Sequence, residues 1–241
     1  MRYIKDFFYV QKRTFKNMLS SMKYLPVLVV MLIASQLIMN VLYGIIRTLN
    51  ISGYLSSLII YLVEIFIISF LLNALYTIIK SSNLFINFIR DDSNQFVLKI
   101  IQIGFIFYLG QMILNIFILN PVVVRGINIL SLILLILFSA LPETIYLEDY
   151  NAGNTVQYAI KFLYNNIYNW LIPNLIFYIL IYKLGYLTIF PFDIKVTYSA
   201  NNILSLLMYL ILVSFIFLYR GHLFQILSNS NIRKREFQNK F

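Results

Sequence analysis

Leu58-Ile59-Ile60-Tyr61-Leu62-Val63-Glu64-Ile65-Phe66-Ile67-Ile68-Ser69-Phe70-Leu71-Leu72 is the stretch on which the fold turns. A strand of a membrane barrel alternates apolar and polar side chains, and this run does not alternate, so it reads as a helix. A hydrocarbon core about 30 Å thick takes roughly 20 helical residues at about 1.5 Å each, and lipid gives an open backbone no hydrogen-bonding partner. The run lies inside one such length, residues 54–79. Five more have the same character, at 24–46, 97–119, 126–147, 169–190 and 200–221. Asn50 and Gly53, Asn120 and Pro121, and Pro191 and Asp193 supply turn chemistry between them. The expected fold is all-α: a polytopic membrane protein with six transmembrane helices arranged as three hairpins.

The composition agrees with this reading. The chain has 241 residues, 61% hydrophobic and 12% charged, with no cysteine and a mean hydropathy of +0.81. A water-facing globule of that size needs about twice the share of charged residues. Without cysteine there are no disulfides, thiolate metal sites or cysteine nucleophiles. His222 is the sole histidine, so no histidine cluster or dyad can assemble. It follows Arg220 at the inner end of the last span, where an interfacial role is expected. No P-loop or glycine-rich phosphate cradle is present, and no metal site, catalytic residue or cofactor is expected.

Orientation follows from the basic residues. Fifteen of the nineteen Lys and Arg residues fall before the first span, in the second and fourth connections, or at the C-terminal end; only Arg47, Arg125, Lys183 and Lys195 lie on the other side. Both termini are therefore expected in the cytoplasm of a multi-pass cell-membrane protein. The net charge of +10 then reflects topology and lipid headgroups, and no nucleic-acid partner is expected. Residues 228–241 read as a basic cytoplasmic tail.

The first 23 residues lack the short apolar core and small-residue cleavage site of a signal peptide. Ile4, Phe7, Phe8, Phe15, Met18, Leu19 and Met22 share one side of a helical wheel, with Lys5, Lys12, Arg13 and Lys16 opposite. This pattern predicts a helix lying in the headgroups. Such a segment recurs ahead of each hairpin, at 84–96 and 158–168. Ala34-Ser35-Gln36-Leu37-Ile38-Met39-Asn40 reads against Leu109-Gly110-Gln111-Met112-Ile113-Leu114-Asn115 at a shift of 75 residues. A fainter shift of 147 sets Tyr24-Leu25-Pro26 against Leu171-Ile172-Pro173 and Gln36 against Lys183. The expected plan is one membrane domain, 1–241, with repeats over 1–80, 81–150 and 151–241, all pointing the same way.

Pro142-Glu143-Thr144-Ile145-Tyr146-Leu147-Glu148-Asp149-Tyr150-Asn151-Ala152-Gly153, then Ala159-Ile160-Lys161, Leu163 and Asn165-Asn166, resembles the signature of bacterial six-span membrane proteins. These are the YciC-like and DUF975 families and the membrane domain attached to some glycerophosphoryl diester phosphodiesterases. The resemblance implies an integral membrane role and supplies no catalytic residues. Read physically, Gly153 and Asn154 break the fourth span, and Asn154 or Thr155 caps the next helix. Glu148 and Asp149 precede that helix, and Asp91 and Asp92 hold the corresponding place in the second connection. The four acids are either solvated caps or a cytoplasmic docking surface.

Inside the spans, Glu64 lies near mid-depth of the second, the only acid well within one. Gln36, Asn40, Asn73, Gln111 and Asn115 could share its interior, with Lys183 as counter-ion; the amides serve equally as glue between helices. Two functions stand open. One is a permease-like subunit moving a small solute, with a separate ATPase on its cytoplasmic loops. The other is a non-transporting envelope protein for lipid interaction or for assembly with another membrane subunit. No enzyme is expected.

Overall fold

Long apolar runs with few breakers set the observed architecture, which among the described residues consists of helices joined by turns. The structure, a computed structural model, describes residues 2–50, 52–81, 95–116, 130, 133–183, 203–230 and 235. The helices are α1 (Arg2–Ser21), α2 (Leu25–Thr48), α3 (Gly53–Ser81), α4 (Gln95–Ile116), α5 (Leu141–Leu147), α6 (Ala152–Lys183) and α7 (Ile203–Ser228), with a single 3₁₀ turn, Met22–Tyr24, between α1 and α2. Three helical stretches are long and apolar enough to cross a bilayer, one within Tyr3–Thr48, Gly53–Lys80 and Leu206–Ser228. They correspond to the first, second and sixth expected spans. The third and fourth are represented by shorter apolar helices, Phe96–Gly110 and Ile133–Leu147. The fifth begins in α6, and residues 184–200 lie outside the described residues.

Pro26 stands in the first turn of α2, where its missing N–H removes no helical bond. After α2 the chain turns through Asn50, whose φ of 49° is left-handed and which asparagine tolerates. It then packs α3 back against α2.

The hub is α7. It packs against α1, α2, α3, α5 and α6, and 67% of its apolar stretch is buried, against 28% and 22% in the other two spanning stretches. Aromatic side chains gather near its C-terminal end. Phe162 stacks on Phe224 at 4.3 Å between ring centres, and Trp170 meets Phe162 edge-on at 5.3 Å. The outer surfaces of α2 and α3 carry exposed Val30, Leu37, Val41, Leu58, Phe66 and Phe70.

Helix α1 has three faces. Asp6, Val10, Thr14 and Met18, spaced four apart, are buried against the body. Ile4, Phe8, Phe15, Leu19 and Met22 are exposed as an apolar stripe, and Lys5, Lys12, Arg13 and Lys16 form the remaining surface. The expected apolar and basic faces are thus present. Two members of the expected apolar side are corrected: Met18 is fully buried and Phe7 half-buried. They belong to the docking face, which the two-sided wheel did not separate.

The expected fourth span is interrupted. Helical residues 133–137 end in a turn at 138–140, and α5 starts afresh with Pro142 in its first turn. Proline has no N–H to continue the ladder, so the chain tightens. The Leu141 N–H reaches the Phe138 carbonyl at 2.9 Å and the Ser139 N–H reaches Ile136 at 3.1 Å. Helix α6 breaks at Asn166, whose φ and ψ of −128° and 23° are non-helical. An amphipathic segment therefore precedes an apolar one in α6, as α1 precedes α2.

Candidate functional site

Arg220 sits inside the apolar run of α7 with 1% of its surface exposed. Its Nε donates to Glu143 Oε1 at 2.7 Å and its Nη2 to Glu143 Oε2 at 2.9 Å. Nη2 also donates to the Ser139 carbonyl at 2.5 Å, at the break that Pro142 imposes. Beneath the guanidinium lies the Trp170 ring, 5.1 Å to its centre, and Trp170 Nε1 donates to Ser139 Oγ at 3.0 Å. Burying two ions is costly unless geometry and extra hydrogen bonds compensate, and here a two-point pair, a carbonyl and a ring face do so.

A second buried pair adjoins the first. Arg235 donates through Nε to Asp6 Oδ1 at 2.8 Å and through Nη2 to Oδ2 at 3.0 Å, and Asn169 Nδ2 donates to the same Oδ2 at 2.9 Å. Gln11 Nε2 donates to the Asn169 carbonyl at 3.2 Å, and the Tyr219 hydroxyl donates to Gln11 Oε1. Ser21 Oγ and His222 Nε2 lie 2.9 Å apart. Asn169 precedes Trp170 and Tyr219 precedes Arg220 in the chain, so the two networks lie next to each other and make up the polar core. Asn169 Oδ1, His222 Nδ1 and both amide atoms of buried Asn73 have no hydrogen-bond partner among the described residues. His222, for which an interfacial role is expected, is buried in the protein.

A polar pocket of about 390 Å³ opens beside this core, where α3 ends, α4 begins and the chain passes from α5 to α6. Tyr76, Lys80, Lys99, Glu148, Asp149 and Asn151 are among its lining residues. Lys99 Nζ donates to the Ile145 carbonyl at 2.9 Å and the Glu148 carbonyl at 2.8 Å, satisfying the open end of α5. Lys80 Nζ lies 4.8 Å above the Tyr76 ring and donates to its hydroxyl at 3.0 Å. The N-terminus of α6 is capped by Asn151, whose Oδ1 accepts the Asn154 N–H at 2.9 Å. This corrects the expected caps, Asn154 and Thr155, because the helix starts three residues earlier. Burial raises the Glu148 carboxyl, an effect eased by a Ser228 hydrogen bond and by Lys80 and Lys99. Burial also pushes the Tyr158 hydroxyl up to about 12, with the Glu148 charge adding to it.

An apolar groove of about 490 Å³ runs between α2 and α3, lined by Val30, Ala34, Ile38, Val63, Phe66 and Phe70 among others.

The residues named from sequence differ in their burial. Gln36 and Asn73 are buried, Glu64 is half-buried, and Asn40 and Lys183 are exposed. Gln111 and Asn115 lie in α4, but their side chains, like Asp91 and Asp92, are outside the described residues. Half-buried Glu148 and exposed Asp149 line the polar pocket. A second acid, Glu143, lies near the end of the shorter apolar helix Ile133–Leu147 and is buried. Asp6, Glu143, Arg220 and Arg235 were not singled out. A signal existed for Arg220, a charge followed by another apolar turn, Leu223-Phe224. Asp6 and Arg235 had none, being ordinary polar positions until they meet.

No family model matches the chain, and no curated protein or solved structure matches it.

Proposed function

We propose that the chain is a six-span protein of the cell membrane, both ends cytosolic, that serves lipid interaction or the assembly of a membrane complex without itself moving a solute. The observation that carries this reading is where polarity and apolarity lie. Buried charges close on one another, while α2 and α3 turn apolar surface and an apolar groove outward. The resemblance of Pro142–Gly153 to six-span bacterial proteins supports the membrane placement alone. Because the chain lacks cysteine, single cysteines report cleanly. Ser52→Cys should react with an impermeant maleimide from outside intact cells and Asn165→Cys only after lysis; the reverse pattern overturns the topology. A photo-cross-linker at Phe70 should capture lipid or a membrane-embedded protein in native membranes.

A second reading, the permease-like subunit with an ATPase docked at Glu148 and Asp149, draws on Glu64. That carboxylate is half-buried in α3 with no hydrogen-bond or ion-pair partner among the described residues. Solute or proton flux in proteoliposomes that disappears in Glu64→Gln would establish this reading in place of the first.

A further inference from the structure

The polar pocket between α3, α4 and the α5–α6 connection has a charge pattern of its own. Two cations, Lys80 and Lys99, and two acids, Glu148 and Asp149, line it with Tyr76, Phe96 and Tyr150. Lys99 commits two of its three ammonium hydrogens to carbonyls, and one remains. Lys80 and Asp149 are exposed. Such a set fits a ligand bearing one negative and one positive charge side by side better than it fits an anion alone.

Position indicates where that ligand comes from. The spanning stretch Gly53–Lys80 ends at the pocket and the apolar helix Phe96–Gly110 begins there, so the pocket lies at headgroup depth. From its rim, Leu98, Phe105, Leu109 and Met112 form one exposed apolar stripe along α4. A soluble zwitterion leaves that stripe unused, whereas acyl chains cover it.

We propose that this pocket binds a phospholipid whose phosphodiester is followed by a primary ammonium, with the phosphate on Lys80 and Lys99, the ammonium on Asp149 and the acyl chains along α4. The proposal rests on the lipid-interaction reading above and specifies its headgroup. The test is native mass spectrometry of the full chain in detergent, titrated with phosphatidylethanolamine or phosphatidylglycerol. Phosphatidylethanolamine should bind about tenfold more tightly. Asp149→Lys, at an exposed position, should reverse that preference, and Lys80→Gln should weaken both lipids by about tenfold. Glycerophosphoethanolamine at equal concentration should not displace the bound lipid. Lipids bound without headgroup preference, or a preference unchanged in Asp149→Lys, overturn the pocket alone. Displacement by the soluble headgroup overturns the lipid source. A chain that retains no lipid of any kind overturns the lipid-interaction reading as well.

Discussion

Asp6 and Arg235, 229 positions apart in sequence, are joined by two hydrogen bonds of 2.8 and 3.0 Å and are almost wholly shut off from their surroundings. Asn169 completes the carboxylate's coordination. The pair fastens the first helix to the segment beyond α7, across the end of the bundle.

Breaking one half of such a pair leaves a buried charge alone and should cost about 3–5 kcal/mol. Asp6→Asn and Arg235→Met should each lower the unfolding midpoint in detergent and expose α1 to protease. The double variant should be less damaged than the sum of the two. Strict additivity would show that the two side chains do not interact.

In the Glu143–Arg220 pair the guanidinium also holds the Ser139 carbonyl and faces Trp170. Arg220→Lys keeps the charge but loses the fork, and should destabilise by about 2–4 kcal/mol. Melting of the purified variant within a degree of wild type would contradict this.

Trp170 and Ser139 share one hydrogen bond of 3.0 Å. Trp170→Phe and Ser139→Ala should show a coupling of about 1 kcal/mol in a double-mutant cycle. A coupling near zero would mean that the indole is held by packing alone.

At Gly221, α7 packs against its neighbours with no room for a side chain. A Cβ there would collide with Ile79 Cδ1 and lie 2.7 Å from the Tyr146 hydroxyl. Gly221→Ala should cost about 1–3 kcal/mol, with partial rescue by Ile79→Val, whereas Gly110→Ala, with nothing within 4 Å, should be neutral or stabilising. Equal effects at the two glycines would remove the steric explanation.

The Glu148 carboxyl is raised from its ordinary 4.5, first by burial. A carboxyl raised on folding holds its proton more tightly folded than unfolded, so it favours folding at low pH, an advantage lost as pH rises through the folded value. Amides over residues 150–155, corrected for intrinsic rates, should exchange more slowly at about pH 5 than at about pH 7. Glu148→Gln should abolish that difference. Faster exchange of the wild-type amides at the lower pH would contradict the assignment.

Helical class, the three long apolar helices and the amphipathic character of α1 were legible because each is a local periodicity. Leu58–Leu72 needs no partner to read as a helix, and the faces of α1 follow from spacing alone. The break at 138–140 was half legible: Pro142 announces it, yet the apolar residues on both sides mask it. The polar core was not legible. Asp6, Glu143, Arg220 and Arg235 acquire their meaning only from pairing between distant segments, and a charge near a helix end reads first as topology. Glu64 was prominent by isolation, and isolation does not reveal a partner.

Since α7 is the element on which α1, α2 and α3 converge, those helices, of which α2 and α3 already pack together, keep one face uncovered until it arrives. Nascent chains stalled before residue 203 would leave that face open to capture by quality-control proteases. Packing of these helices is thus completed only once α7 has been made, and a chaperone that attends them has to shield their waiting faces until then.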